Sequence, residues 1–321
     1  MSYPVMWLSL CPVNLDIDPR LASVRACLAS EDFLRHLSDA VEAESYPHRA
    51  MAILRAAGLT SFWVGDAHQP VTAYHLAALN ALTARLDGGL AINVGVHALA
   101  LLPLYLAASD GLRHTVLERV RAGAIPALLL TEWDAGSDLL ANVTRAEVKG
   151  THLVLRGEKD LINGGHVADL LITLARSGDP SADADAAFQR APSHTLVVVD
   201  RDDTVHAKPA YRTLPAPASD ISGVRFEGTE VPMDRVIGAV GEGFGVMQKV
   251  LTMSRGGIAS LAAGASQRAW DLAWEHATTR HLYGAPILAL DAITGHLMRL
   301  WSLHQVATAL AVKAAAVMNA R

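Results

Sequence analysis

The run TEWDAGSD, Thr131 to Asp138, has the composition of a tight polar turn, with Gly136 and Ser137 near its end. Turns of this kind expose backbone N–H groups that can bind a diphosphate. Gly136 has no Cβ, so a ligand could come close to the main chain there. Arg280 offers a guanidinium fork that matches phosphate oxygens. The alternative for Arg280 is a favourable charge in the last turn of a helix. GEGFG, Gly241 to Gly245, is not a dinucleotide fingerprint, because its spacing is wrong and no strand–turn–helix unit surrounds it. The fourteen histidines contain no HExxH and no paired metal spacing, so no metal site is expected. His97, His166 and His304 read as core or surface residues. An isolated TEWDAGSD would be no more than a polar turn after a strand, so the elements around it decide its meaning.

Those elements fall into regions of different period. From about Pro19 to Gly123 the apolar residues recur three and four apart, as in DFLRHLSDAVEAE and HTVLERVRAG, which predicts helices. Gly58 and Gly123 sit at expected helix ends. From about Ala127 to Ile237 the period becomes two, and THLVLRGEKD, DLLITLAR, HTLVVVDR and GVRFEGTEVP read as strands. Val148 to Thr151 reads as a hairpin turn, and Ser177 to Ser193 as a surface loop. From Glu242 the helical period returns. Phe244, Met247, Leu251, Ile258, Leu261, Ala265, Leu272 and His276 outline one long helix, stopped near Tyr283-Gly284-Ala285-Pro286. A second runs from Asp291 to Arg321 with Ile293, Leu297, Leu300, Trp301, His304, Ala307 and Leu310 on its apolar side. Two such helices make half of a four-helix bundle, so an oligomer, homomeric or mixed, is expected.

The order helical, β, helical combines with specific motifs. TEWDAGSD resembles the first signature of the acyl-CoA dehydrogenase family, with Trp133 in place of the usual Pro. Ala146 to Arg176 resembles the family's β domain. Gly241 to Ile287 resembles its third domain, through Gly241, Gly243, Arg255, Arg280, Tyr283 and Gly284. The resemblance covers about residues 127–321, and the N-terminal helices by pattern alone. It implies an α+β fold with an N-terminal helical domain (1–126), a central β-barrel-like domain (127–240) and an incomplete C-terminal helical bundle (241–321). It implies an FAD-dependent α,β-dehydrogenase of acyl thioesters, carried by coenzyme A or a carrier protein, with an electron-transfer flavoprotein or similar acceptor. A carboxylate removes the α-proton while the β-hydrogen leaves as hydride, and the protein orients and polarises. Leu130 and Thr131 would touch the isoalloxazine edge. Gly136 and Ser137 would approach the cofactor diphosphate and, through Ser137, the substrate's pantetheine arm. Leu161 and Asn163 would lie behind the flavin. Arg280 would reach a neighbouring subunit's FAD, with Tyr283 packing nearby or serving as a helix-end staple. Leu251, Ser254 and Arg255 would border the substrate.

The chain also departs from the family. Leu161, Ile162 and Asn163 replace the usual Trp-Ile-Thr, so an aromatic platform is lost, while Asn163 can still donate toward the flavin N5 region. Asp291 replaces a Gln that commonly contacts the cofactor. The usual catalytic Glu lies in a C-terminal loop beyond Arg321. At the alternative helix position, immediately before Arg255, stands Ser254, so the identity of the base is open. The segment that covers the adenine half of a neighbour's FAD is also absent from the sequence. Two other functions stay open: a non-catalytic partner subunit of a heteromeric dehydrogenase, and a flavin-dependent monooxygenase on the same fold.

Bulk properties narrow the classes. The net charge is −5 and its signs are mixed along the chain, so nucleic acid is not an expected partner. Cys11 and Cys27 form no CxxC, which fits a reducing, cytoplasmic compartment, and the family resemblance implies metabolism of lipids or polyketides. The N-terminus has no basic n-region, so no secretory signal is expected. Leu90 to Ala108 is long enough to span a bilayer, but Asn93, His97 and Pro103 within it favour a buried helix.

Overall fold

A computed structural model describes residues 20–65, 72–177 and 194–319. Cys11, most of the loop Ser177 to Ser193, and the last two residues of the expected final helix lie outside that range.

The N-terminal part is helical: α1 (Arg20–Leu28), α2 (Glu31–Glu42), α3 (His48–Ala56), α4 (Leu59–Val64), α5 (Ala73–Ala84), α6 (Gly88–Ala107) and α7 (Asp110–Arg121). Caps set several starts. The Ser30 hydroxyl accepts from Phe33 N–H at the head of α2, and the Asp87 carboxylate accepts from Leu90 N–H at 2.7 Å at the head of α6. α2 buries Phe33, Leu37 and Ala40, one stripe at helical spacing. α6 is apolar all round because it is enclosed. It is long and apolar enough to cross a membrane, as is the last helix, yet over half of its apolar window is buried inside the protein.

Eight strands follow in one sheet: β1 (Pro126–Leu129), β2 (Arg145–Lys149), β3 (His152–Asn163), β4 (Leu170–Arg176), β5 (His194–Asp200), β6 (Val205–Ala207), β7 (Ile221–Pro232) and β8 (Val236–Ile237). Their order is β6-β7-β3-β2-β4-β5-β8, with β1 parallel to β4. β2 and β3 form the expected hairpin, closed by Lys149 opposite His152 with Gly150 at φ +60° in the turn. Gly157 is required: a Cβ there would lie 2.7 Å from the Thr144 backbone. One apolar core joins helices and sheet, from Phe33 and Leu101 to Leu155, Leu171 and Phe226.

α8 (Gly243–Thr279) is one 37-residue helix. A short hairpin, β9 (His281–Leu282) and β10 (Ala285–Pro286), turns through Tyr283 and Gly284, both at positive φ, into α9 (Asp291–Asn319). The buried side of α8 is Met247, Val250, Ser260, Ala263, Gly264 and Ala277. Ile258, Ala265, Leu272 and His276, expected on the apolar side, are exposed. The expectation fails because α5 and α6 cross α8 at small residues: a Cβ on Gly264 would meet the Ala81 carbonyl at 2.1 Å. On α9, Leu297, His304, Ala311 and Ala315 face inward. Leu310, placed on the inner side by periodicity, is exposed, as are Met298, Leu303, Val306 and Val317.

Candidate functional site

β1 feeds the chain into the TEWDAGSD turn. Glu132 and Ala135 exchange backbone hydrogen bonds of 3.1 Å, so Trp133 and Asp134 form the tip. Beneath the tip the Glu132 carboxylate accepts from Val143 N–H (2.7 Å), Thr144 N–H (3.0 Å) and Lys159 Nζ (2.9 Å). Lys159 is fully buried and also donates to the Leu130 carbonyl at 3.0 Å, which Asn142 Nδ2 reaches at 2.8 Å. Burial pulls the Lys159 ammonium down to about 8, with Glu132 acting in the other direction. Burial would raise the Glu132 carboxyl, but the Lys159 charge and the donated hydrogen bonds outweigh it and hold it below its usual range. Both groups are therefore ionised at neutral pH, and together they fix the turn. Past it, Gly136 and Ser137 are exposed, with open space where a Gly136 side chain would stand. Among the described residues, the N–H groups of Gly136 and Ser137 have no acceptor.

The end of β3 adjoins this turn, because Asp160 N–H donates to the Thr131 carbonyl at 2.9 Å. Leu161 follows at φ +55°, with its side chain exposed, where the β3–β7 register shifts. The buried Asp160 carboxylate accepts from Lys208 Nζ (2.8 Å), Tyr211 Oη (2.8 Å) and Leu161 N–H (2.9 Å). Burial opposes its charge, but these donors outweigh burial and keep it below the ordinary carboxylate range. Tyr211 in turn lies near Trp133, ring centroids 6.4 Å apart. Asn163, the last residue of β3, is buried, and its Nδ2 donates to Asn93 Oδ1 (3.1 Å) and to the Ser219 carbonyl. Its buried Oδ1 has no partner and is the free group there.

A cavity of about 680 Å³ lies between α4, α5, α6 and α8. Its wall is apolar, with Trp63, Leu76, Leu99 and Leu102 from the helical part and Ile258 and Leu261 from α8. Ser254 lines it, with its hydroxyl donating to the Leu251 carbonyl at 2.9 Å. Of the other residues assigned to substrate, Leu251 packs against the main core, Arg255 is exposed, and Ser137 belongs to the turn. Among the described residues, no aspartate or glutamate lines the cavity.

Arg280 and Tyr283 are elsewhere. Gly243, at the start of α8, packs on β5, and Arg280 caps the opposite end. Thirty-seven residues at 1.5 Å each separate these ends by roughly 55 Å. Tyr283 is almost fully exposed, and among the described residues the Arg280 guanidinium has no ion pair or hydrogen bond. One chain therefore does not bring Arg280 to its own TEWDAGSD turn.

Residues 127–229 match the pattern described as acyl-CoA dehydrogenase, middle domain, and residues 241–321 match acyl-CoA dehydrogenase, C-terminal domain. The chain belongs to the acyl-CoA dehydrogenase family. A probable acyl-CoA dehydrogenase, FadE25 of Mycobacterium tuberculosis, is 28% identical over 280 residues, covering 86% of this chain and 70% of that protein. The structure of glutaryl-coenzyme A dehydrogenase in complex with glutaryl-CoA superposes with a TM-score of 0.82 at 22% identity, over 94% of this chain and 76% of that one. The prolyl acyl carrier protein oxidase AnaB gives 0.78 at 20% identity, over 92% and 78%. Family members are oxidoreductases acting on CH–CH groups and are flavoproteins.

The sequence drew attention to the turn and to Ser254 but not to Lys159, Asp160, Lys208 or Asn80. Charged residues inside an apolar strand, as in RGEKD, are a signal for buried pairing, but their partners are distant in sequence.

Proposed function

We propose that this chain is an FAD-dependent acyl-thioester α,β-dehydrogenase, or the FAD-binding subunit of one, working in the cytoplasm as an oligomer. The observation that carries this reading is the apolar cavity lined by Ser254, in a chain whose TEWDAGSD turn leaves two N–H groups without an acceptor among the described residues. The residues fit FAD. Gly136 and Ser137 would hold the diphosphate, Thr131 and Leu161 would border the ring system, and Asn163 Oδ1 is a buried acceptor lacking a donor. Arg280, too far from its own turn, would bind the diphosphate of a second subunit. When bound, FAD supplies the acceptor for the two electrons that leave with the β-hydrogen.

The cavity holds the acyl chain out of water and presents the α-carbon to the Ser254 region. Proton removal there needs a carboxylate within hydrogen-bond reach. The Ser254 hydroxyl is neutral, and its proton points to the Leu251 carbonyl. The 321-residue chain by itself is therefore expected to oxidise acyl thioesters slowly. In this reading the acidic group that takes the proton lies outside the described lining of the cavity.

Ser254→Glu tests it. In FAD-loaded protein the substitution should raise electron transfer from a panel of acyl-coenzyme A substrates to an artificial acceptor, on the order of a hundred- to ten-thousand-fold. Robust activity of the unmodified, unpartnered chain would show that another residue is the base, and no gain in a folded, FAD-bound variant would contradict placing the α-carbon at Ser254.

A further inference from the structure

The acyl cavity has a mostly apolar wall with a few polar groups on it. Asn80 of α5 projects between Gly95 of α6 and Gly257 of α8, and all three residues line the cavity. Gly95 makes room for the amide, and Gly257 lies against its other side. A Cβ at position 95 would stand 3.1 Å from Asn80 Oδ1, and one at position 257 would stand 3.7 Å from Nδ2. Among the described residues the Asn80 side chain has no hydrogen-bond partner. Of the other polar groups of the wall, the buried Trp63 Nε1 also has no partner among the described residues, while the two hydroxyls are engaged. Tyr105 Oη donates to the carbonyls of Trp63 and Val64, and the Ser254 hydroxyl donates to Leu251. No described residue of the lining is charged.

We infer that Asn80 selects acyl thioesters whose chain carries a neutral polar group, a hydroxyl or a carbonyl, rather than a plain alkyl chain. This deepens the acyl-thioester reading above and rests on it. Ligand cavities are mostly apolar and use a few placed polar groups for specificity. An amide offers both an acceptor and two donors, so it pairs with either hydroxyl or carbonyl. A carboxylate or ammonium on the chain would find no counter-charge among the described lining residues. Position follows from the helix. Gly257 lies one turn beyond Ser254, a rise of about 4.5 Å. That is the span of roughly three or four carbon–carbon bonds. A substituent opposite Asn80 therefore sits a few carbons along the chain from the α-carbon held near Ser254.

The test is equilibrium binding to the FAD-loaded assembly, which needs no turnover. The ligands are octanoyl-coenzyme A and its 4-, 5- and 6-hydroxy and 5-oxo derivatives. At least one substituted thioester should bind more tightly than octanoyl-coenzyme A. Asn80→Ala and Asn80→Leu should weaken that ligand roughly ten- to a hundredfold, while octanoyl-coenzyme A is held equally well or better. The alanine variant suits a helix and covers the case in which leucine overfills the gap. Equal binding of plain and substituted chains, unchanged by either variant, would overturn the role of Asn80 and leave the dehydrogenase reading standing. Failure of every acyl thioester to bind the FAD-loaded protein would overturn both.

Discussion

Lys159 and Glu132 meet in the interior, 27 positions apart in the chain, and their pairing shapes the turn expected to hold a diphosphate. Removing one partner of such a pair strands the other as a buried charge. Lys159→Met should therefore cost about 3–5 kcal/mol of stability. The double variant Lys159→Met/Glu132→Leu should lose less than the single one, measured by urea denaturation. His97 gives a pH dependence. It is fully buried, with Nδ1 at 2.7 Å from the Pro126 carbonyl and Nε2 at 2.9 Å from Tyr46 Oη. Burial lowers it from 6.5 to about 4, with the Pro126 hydrogen bond acting against burial. The unfolded chain takes up this proton near 6.5 while the folded chain does not until about 4. The contribution is thus complete above 6.5 and is lost as pH falls toward 4, on the order of 3 kcal/mol in all. His97→Gln should flatten that part of the stability–pH curve relative to the native chain. The sequence read His97 only as a core or surface residue, and it lies in the core. It could not show the Tyr46 and Pro126 partners, which come from elements brought together only by folding.

Helices and strands were largely legible from their periods, because burying one face repeats every 3.6 or 2 residues. The β2–β3 hairpin and the limits of α8 and α9 follow from the same signals. The inner faces of α8 and α9 were less legible. Where helices cross at glycine the inward residue is not apolar, so Gly264 and Ser260 are buried while Leu272 and Leu310 are not. This makes Gly264 a sharp test at the scale of the element. Its Cβ would fall 2.1 Å from the Ala81 carbonyl, so Gly264→Val must push α5 from α8. Overpacking of this kind costs at least about 1–3 kcal/mol. Because α5 and α8 also wall the acyl cavity, thioester binding should fall with stability, whereas Gly245→Val, at an exposed position with open space around it, should change neither. Of the cofactor-facing set, Thr131 and Leu161 do come together. The use of Asn163's N–H groups by Asn93 and Ser219 was invisible, since those residues lie 70 and 56 positions away.

At the scale of the whole molecule, α9 exposes Met298, Leu303, Val306, Leu310 and Val317, an apolar stripe of the kind that marks a contact surface. Among the described residues Arg280, at the far end of α8, has no ion pair or hydrogen bond of its guanidinium. Both features call for a second chain, and light scattering should show an oligomer; a stable monomer with bound cofactor would rule out the shared site. Arg280→Met should lower FAD affinity without lowering the melting temperature of the cofactor-free protein. The measurement that bears most directly on the central claim is the flavin absorbance of the assembled protein after gel filtration and incubation with FAD. The account predicts flavin co-eluting with the oligomer at a fixed ratio to protein. A folded, assembled protein that elutes colourless and takes up no added FAD would contradict it.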